Sequence, residues 1–125
     1  MSQKNWHILV VEDDPDGQEV VATILEHLNL SIDVANNVED AEKLLFHSST
    51  KYHAAILDLA LPDKNGWDLL AEILDYPETA NLPCIAVTAY HTSKLREDAI
   101  KAGFTAYFAK PIDATSFARR LEELL

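Results

Sequence analysis

Four places along the chain carry groups suited to phosphate or metal chemistry, and each stands where an apolar run stops. Ile8 to Val11 is followed by Glu12, Asp13 and Asp14; Ala54 to Leu57 by Asp58; Cys84 to Val87 by Thr88; and Ala106 to Ala109 by Lys110. Two unit charges about 4 Å apart repel by about 4 kcal/mol at an effective dielectric of roughly 20. Three consecutive acids joined by a fourth are therefore strained unless a cation enters the group. Magnesium suits such a site, because it takes one or two carboxylates and keeps positions open for water or phosphate oxygens; manganese could substitute. A carboxylate beside the ion can be a nucleophile, and phosphoryl transfer asks chiefly for positioning and charge neutralisation. In that chemistry Asp58 attacks phosphorus, Lys110 neutralises one phosphoryl oxygen and Thr88 donates a hydrogen bond to another.

Each residue alone has a plainer reading. Asp14 reads best as a helix N-cap, Thr88 as a strand-end threonine bonded to its own backbone, and Lys110 as a salt-bridge partner of the acids. Only their coincidence at one edge argues for a site.

That coincidence requires parallel strands. Five apolar runs begin near residues 8, 32, 54, 84 and 105, with helical periodicity between them. The alternation predicts an α/β domain built from strand-helix units, which places ligand groups at the carboxyl ends of the strands. Asp14, Pro15 and Asp16 open the first helix, with Val20, Val21, Ile24, Leu25 and Leu28 on its inner face. Asn37 caps a second, with Val38, Ala41, Leu44 and Leu45 inward. Gly66 to about Asp75 forms a third, with Trp67, Leu70, Ile73 and Leu74 as its apolar side. Ser93 to Ala102 forms a fourth, stopped by Gly103. The last runs from about Thr115 to Leu125, with Phe117, Ala118, Leu121, Leu124 and Leu125 inward. The second strand ends at Ala35, Asn36 and Asn37 and brings no comparable group.

The 125 residues, 48% of them apolar, are read as one domain spanning 1–125 with a core from about residue 7. No apolar stretch approaches the ~20 residues of a membrane span and the N-terminus opens no signal segment, so a cytoplasmic protein without membrane contact is expected. The net charge of −11 arises from 21 acidic and 10 basic residues. The basic residues look scattered along the chain, which gives direct nucleic-acid binding little electrostatic support. Cys84 lies inside an apolar run and reads as core. The five histidines lack zinc-ligand spacing, Trp6 reads as a cover for the sheet edge and Trp67 as core.

Taken together, Glu12, Asp13 and Asp14 after their strand, Asp58 followed by Leu59, Ala60, Leu61 and Pro62 with Gly66 beyond, Thr88 followed by Ala89, and Tyr107 preceding Lys110 and Pro111 resemble the receiver domain of two-component response regulators. The resemblance covers about His7 to Leu125. It implies a flavodoxin-like, doubly wound sheet of five parallel strands in the order 2-1-3-4-5 with five helices. It also implies that Asp58 is the phosphoacceptor, that Asp13 binds magnesium directly and Glu12 through water, and that the Ala60 backbone carbonyl adds a ligand. Thr88 and Lys110 would contact the phosphoryl group, with Ala89 small enough to admit it. Tyr107 would be the switch aromatic, turning inward as Thr88 moves, and the Lys110–Pro111 bond would be cis.

The implied partners are a histidine kinase or histidine phosphotransfer protein and a downstream protein target, with a phosphorylation-dependent homodimer as a further expectation. Nothing after Leu125 would serve as an output domain, so the readout is expected in another protein; a receiver cut from a larger hybrid kinase or regulator would look the same. Glu12 departs from the commoner aspartate, and Lys64 and Asn65 from the usual pair before the glycine. Ala60 and Tyr90 are expected to prolong the aspartyl phosphate, and Asp16, Gln18 and Glu19 to contribute to kinase choice. A magnesium phosphohydrolase with an aspartate nucleophile is the enzymatic alternative. That class needs an acid-base aspartate two residues after the nucleophile, where Ala60 stands. A scaffolding receiver without phosphorylation is the third alternative.

Overall fold

Five strands alternate with five helices in the computed structural model, which describes residues 6–60 and 65–124. They are β1 (His7–Val11), α1 (Pro15–His27), β2 (Ser31–Ala35), α2 (Val38–Phe46), β3 (Ala54–Asp58), α3 (Gly66–Asp75), β4 (Cys84–Thr88), α4 (Ser93–Ala102), β5 (Ala106–Ala109) and α5 (Ala114–Leu124). All neighbouring strands pair in parallel, in the order β2-β1-β3-β4-β5. This is the expected doubly wound sheet. Its order reverses between β1 and β3, and such a switch point opens a crevice at the carboxyl ends of the strands.

The register brings those ends almost into line. Val11 pairs with Leu57, Asp58 with Val87, and Thr88 with Ala109. The ladder continues one step beyond the strands, since the Glu12 amide donates to the Ala35 carbonyl at 3.0 Å and the Lys110 amide to the Thr88 carbonyl at 2.8 Å.

Side chains alternate between the two faces of the sheet. Leu9, Val11, Ala55, Leu57 and Ala86 meet α2, α3 and α4 in one buried cluster, while Ile8, Val10, Ile56, Ile85 and Val87 meet α1 and α5 in the other. Because both faces are covered, β3 and β4 are buried along their whole length. That explains their unbroken apolar sequence.

The helix starts follow local chemistry. Asp14 accepts a hydrogen bond from the Asp16 amide, Asn37 from Asp40, Asn65 from Asp68 and Thr92 from Leu95. Asp113 does the same ahead of α5, accepting from both the amide and the hydroxyl of Ser116. Trp67 stacks edge-on against Phe104 at 5.8 Å between ring centres, as a core residue should. Trp6 is half-buried against the α1/α5 side and its carbonyl accepts from the Ser31 amide.

Two helix faces differ from expectation. Val20 is 47% exposed, because Val21, Ile24 and Leu25 already fill the contact with the sheet and Val20 lies outside that stripe. In α3 the buried set is Gly66, Leu69, Leu70 and Ile73, whereas Leu74 is 39% exposed. Lys64, the Leu61 and Pro62 portion of the motif, and the inward placement expected of Leu125 lie outside the described residues.

Gly103 closes α4 with φ 119°, in the left-handed region. A β-carbon there would also approach Leu74 Cδ1 to 2.7 Å. Replacing Gly103 by alanine should cost about 1–2 kcal/mol, seen as a lower urea midpoint with an unchanged slope.

Candidate phosphoryl and metal site

Strand alternation decides which functional groups meet. Glu12 continues the Ile8 and Val10 side of β1, Asp58 the Ala54 and Ile56 side of β3, and Lys110 the Ala106 and Phe108 side of β5. All three point from the α1/α5 face. Thr88 continues the Ala86 side of β4, and Tyr107, which pairs with Ala86, shares that opposite face. The charged groups therefore converge on one side of the edge and the hydroxyl and aromatic on the other.

The convergence is tight. Lys110 Nζ donates to Asp58 Oδ2 at 3.0 Å and also to Glu12 Oε1. The other Asp58 oxygen accepts from the Ala60 amide at 2.9 Å. Glu12 is 2% exposed and Asp58 6%. Asp13 is exposed, yet one carboxylate oxygen from each of Glu12, Asp13 and Asp58 lies within 4.8 Å of the others. Hard carboxylate oxygens grouped in this way, two of them buried beside one lysine, fit a hard divalent cation such as magnesium.

Burial and the hydrogen bond with Asp58 raise the Glu12 pKa from 4.5 to about 7, although Lys110 opposes the rise. Burial pulls the Lys110 pKa down, and its hydrogen bonds to Glu12 and Asp58 outweigh this and leave it raised. The lysine therefore remains an ammonium at neutral pH, and Glu12 sits close to its titration point.

Thr88 is buried, and its Oγ1 accepts the Tyr90 amide at 3.0 Å. This is the plain strand-end bond, and it leaves the hydroxyl hydrogen available as a donor. Ala89 and Ala60 are exposed beside the edge. Tyr90, expected to shield the site, stands 74% exposed in solvent. Tyr107 is buried, with its hydroxyl 3.1 Å from His91 Nδ1 and the Arg96 guanidinium 5.4 Å from its ring centre. The Lys110–Pro111 peptide is cis.

Three supporting residues escaped the sequence reading. Gly17 permits the close approach of α1 to Glu12, since a β-carbon there would lie 2.5 Å from Glu12 Oε1. Its only sequence signal was a glycine in the first turn of a helix, where glycine is ordinarily unfavourable. Gln18, expected to contribute to kinase choice, bridges the Glu12 carbonyl and Asn36 Oδ1. His91, one of the five histidines without zinc-ligand spacing, is exposed and its Nδ1 lies within hydrogen-bond distance of the Tyr107 hydroxyl.

A family model for the response regulator receiver domain matches residues 8–122. The chain belongs to the response regulator receiver family. It is 34% identical over 116 residues to an uncharacterized 14.6 kDa protein of Leptolyngbya boryana, covering 93% of this chain and 87% of that one. It is 33% identical to the response regulator protein PilR of Pseudomonas aeruginosa, covering 94% of this chain but only 24% of PilR. The signal receiver domain of a DNA-binding response regulator from Colwellia psychrerythraea superposes with a TM-score of 0.88 at 29% identity, over 96% of this chain and 98% of that one. Receiver domains act in two-component signalling, typically bind magnesium, and interact with histidine kinases or phosphotransfer proteins. The family generally signals rather than catalysing a separate reaction. Among the described residues, no helix of this receiver is long and apolar enough to cross a membrane.

The raised Glu12 pKa has a signed consequence. Between pH 4.5 and about 7 the folded receiver keeps a proton that the unfolded chain has lost, so this contribution to stability is complete below 4.5 and disappears as pH rises through 7. In metal-free buffer, urea unfolding should show about 1–3 kcal/mol less stability at pH 8 than at pH 5, and Glu12→Gln should flatten the difference.

Proposed function

We propose that this chain is a phosphorylation-controlled switch in which Asp58 accepts a phosphoryl group from a histidine kinase or histidine phosphotransfer protein. The observation that carries the reading is the buried Asp58 carboxylate, held between the Lys110 ammonium and the Ala60 amide and beside the acidic pair Glu12 and Asp13.

Each Asp58 oxygen has one fixed donor, and a carboxylate has lone pairs to spare for attack on phosphorus. The new O–P bond forms as the N–P bond of phosphohistidine breaks, and the imidazole nitrogen leaves with the electron pair. Lys110, already an ammonium, takes one phosphoryl oxygen, and the Thr88 hydroxyl donates to a second after its short turn towards the site. Glu12, Asp13, Asp58 and the Ala60 backbone carbonyl would hold magnesium, with manganese as a substitute. Bound there, the ion neutralises the gathered carboxylates and phosphoryl oxygens. Ala60 offers no acid or base two residues after the nucleophile, which favours a stoichiometric aspartyl phosphate over a turnover phosphohydrolase.

Thr88 and Tyr107 lie on the same face of the sheet, so a shift of the threonine opens or closes space for the aromatic. Phosphorylation would then bias two arrangements of the surface formed by α4, β5 and α5, a population shift between pre-existing states. Tyr107 is buried, with its hydroxyl beside His91, and a change in that placement would be the readout of the exchange. The proposed output is contact with a downstream protein by a single receiver domain spanning 1–125 in the cytoplasm. A phosphorylation-dependent homodimer would be a second outlet.

Incubation with acetyl phosphate and magnesium should give a single phosphoryl adduct, labile to hydroxylamine and mapped to Asp58 by mass spectrometry. Asp58→Asn and chelation by EDTA should each abolish it, and Lys110→Ala should reduce its formation at least about tenfold. An adduct that persists in Asp58→Asn would reject the assignment.

A further inference from the structure

Glu12 lies one step beyond β1, and its two main-chain groups are held by different kinds of partner. The amide donates to the Ala35 carbonyl at 3.0 Å, as a further rung of the parallel ladder. β2 ends at that residue, so the Glu12 carbonyl meets a side chain instead: Gln18 Nε2, from the start of α1, donates to it at 2.5 Å. The same nitrogen donates at 2.6 Å to Asn36 Oδ1, in the connection between β2 and α2. A main-chain carbonyl can only accept, so the nitrogen of Gln18 must face Glu12, and Asn36 must then present its oxygen. Gln18 is half-buried and Asn36 is exposed. The end of β1, the first turns of α1 and the loop after β2 thus meet at one side-chain amide.

The carbonyl that Gln18 holds belongs to the peptide joining Glu12 to Asp13. A peptide is planar, so fixing this one sets the direction in which the Asp13 side chain leaves the main chain. Asp13 is exposed whereas Glu12 and Asp58 are buried, so of the three carboxylates it has the least packing to aim it. Gly17, one residue earlier, leaves the space in which the Glu12 carboxylate lies. Consecutive residues of α1 therefore divide the task. One makes room for the side chain of the buried acid, and the other fixes the main chain between the two acids. We propose that Gln18 is a positioning residue for the divalent cation and that Asn36 acts through it. The inference rests on the reading of Glu12, Asp13 and Asp58 as the metal ligands, and it adds what aims the exposed one.

Groups that orient a metal ligand without touching the ion commonly carry about 10–100-fold of its affinity. Without Gln18 the Glu12–Asp13 peptide is free to rotate, and the ion must order what the amide had already fixed. The cost therefore falls on cation binding. Without Asn36 the Gln18 side chain keeps one of its two anchors, so the effect has the same sign and is smaller. Once Gln18 is gone, Asn36 has nothing left to hold, and removing both residues costs no more than removing Gln18. A surface hydrogen-bonded pair with no link to the acids would show none of this.

Titration of the full chain with manganese(II), the free ion being read by electron paramagnetic resonance, measures binding without any phosphoryl transfer. Gln18→Leu should bind about tenfold more weakly than the wild type. Asn36→Ala should lose affinity by a smaller factor, and the double variant should bind no more weakly than Gln18→Leu. Asn36→Asp, which keeps the accepting oxygen, should not weaken binding. With acetyl phosphate the loss should appear in the half-saturating magnesium concentration and not in the labelling rate at saturating magnesium. Circular dichroism checks folding, and if Gln18→Leu does not fold, Asn36→Ala against Asn36→Asp decides the matter, because that side chain is exposed. The proposal is overturned if wild-type affinity persists in the folded variants, if the two losses add in the double variant, or if Asn36→Asp binds as weakly as Asn36→Ala. Slower labelling at saturating magnesium with unchanged half-saturation would overturn it as well. A wild-type chain that takes up no manganese rejects the metal reading and this inference with it. Binding that ignores Gln18 and Asn36 rejects the inference alone and leaves the metal reading and the Asp58 adduct standing.

Discussion

Like charge crowded at the ends of parallel strands is the constraint on which the rest of this molecule depends. Glu12, Asp13 and Asp58 sit within a few ångströms of one another, with one ammonium to offset them. Two of the three carboxylates are buried, where an unpaired charge is most costly. The protein eases the conflict in three ways. Lys110 bonds to both buried acids, Glu12 drifts towards its protonated form, and the Ala60 amide takes one oxygen of Asp58. None of these removes the excess of negative charge, which a divalent cation held by the three carboxylates would offset.

The sheet turns this local conflict into a directional device. A period of two places Glu12, Asp58 and Lys110 on one face and Thr88 and Tyr107 on the other. The charged cluster and the Thr88–Tyr107 side are consequently back to back across a single layer of backbone. Thr88 stands where they join, with its main chain paired to Lys110 and its side chain facing the tyrosine's side. Thr88 is itself buried, so a small displacement of this residue meets packed neighbours. It must be taken up by a neighbouring rotamer, which is how sub-ångström changes become discrete states.

Much of this was legible in the sequence because it depends on short-range periodicity. The five strands, the caps at Asp14 and Asn37, the stop at Gly103 and the four functional strand ends are each decided within a few residues. The site as a set of side chains was legible for the same reason, once parallel pairing was inferred. What escaped was whatever depends on two elements meeting. Val20 looks apolar enough to be core, and only the fit of α1 on the sheet shows that Val21, Ile24 and Leu25 leave no room for it. Gln18 looks like a surface residue until Asn36, at the end of β2, comes beside it. Gly17 matters because Glu12, five residues earlier, folds beneath the helix. Local propensity carries no information on any of these encounters.

The arginines make the point in its strongest form. Arg96 lies more than twenty residues from Arg119 and Arg120, so along the chain they read as unrelated surface charges. The right-handed winding of the last strand-helix units places α4 and α5 on opposite faces of the sheet with β5 exposed at its edge, and an edge strand is the one place where both faces can be reached together. Chemistry at the interior switch point needs convergence at strand ends. The arginines at this edge converge from helices of opposite layers. Tyr107 belongs to both, because it points into the α4 layer from the edge strand itself. Tyr107 thus lies on the face of the sheet that Thr88 shares and beside three arginines of a protein whose net charge is −11.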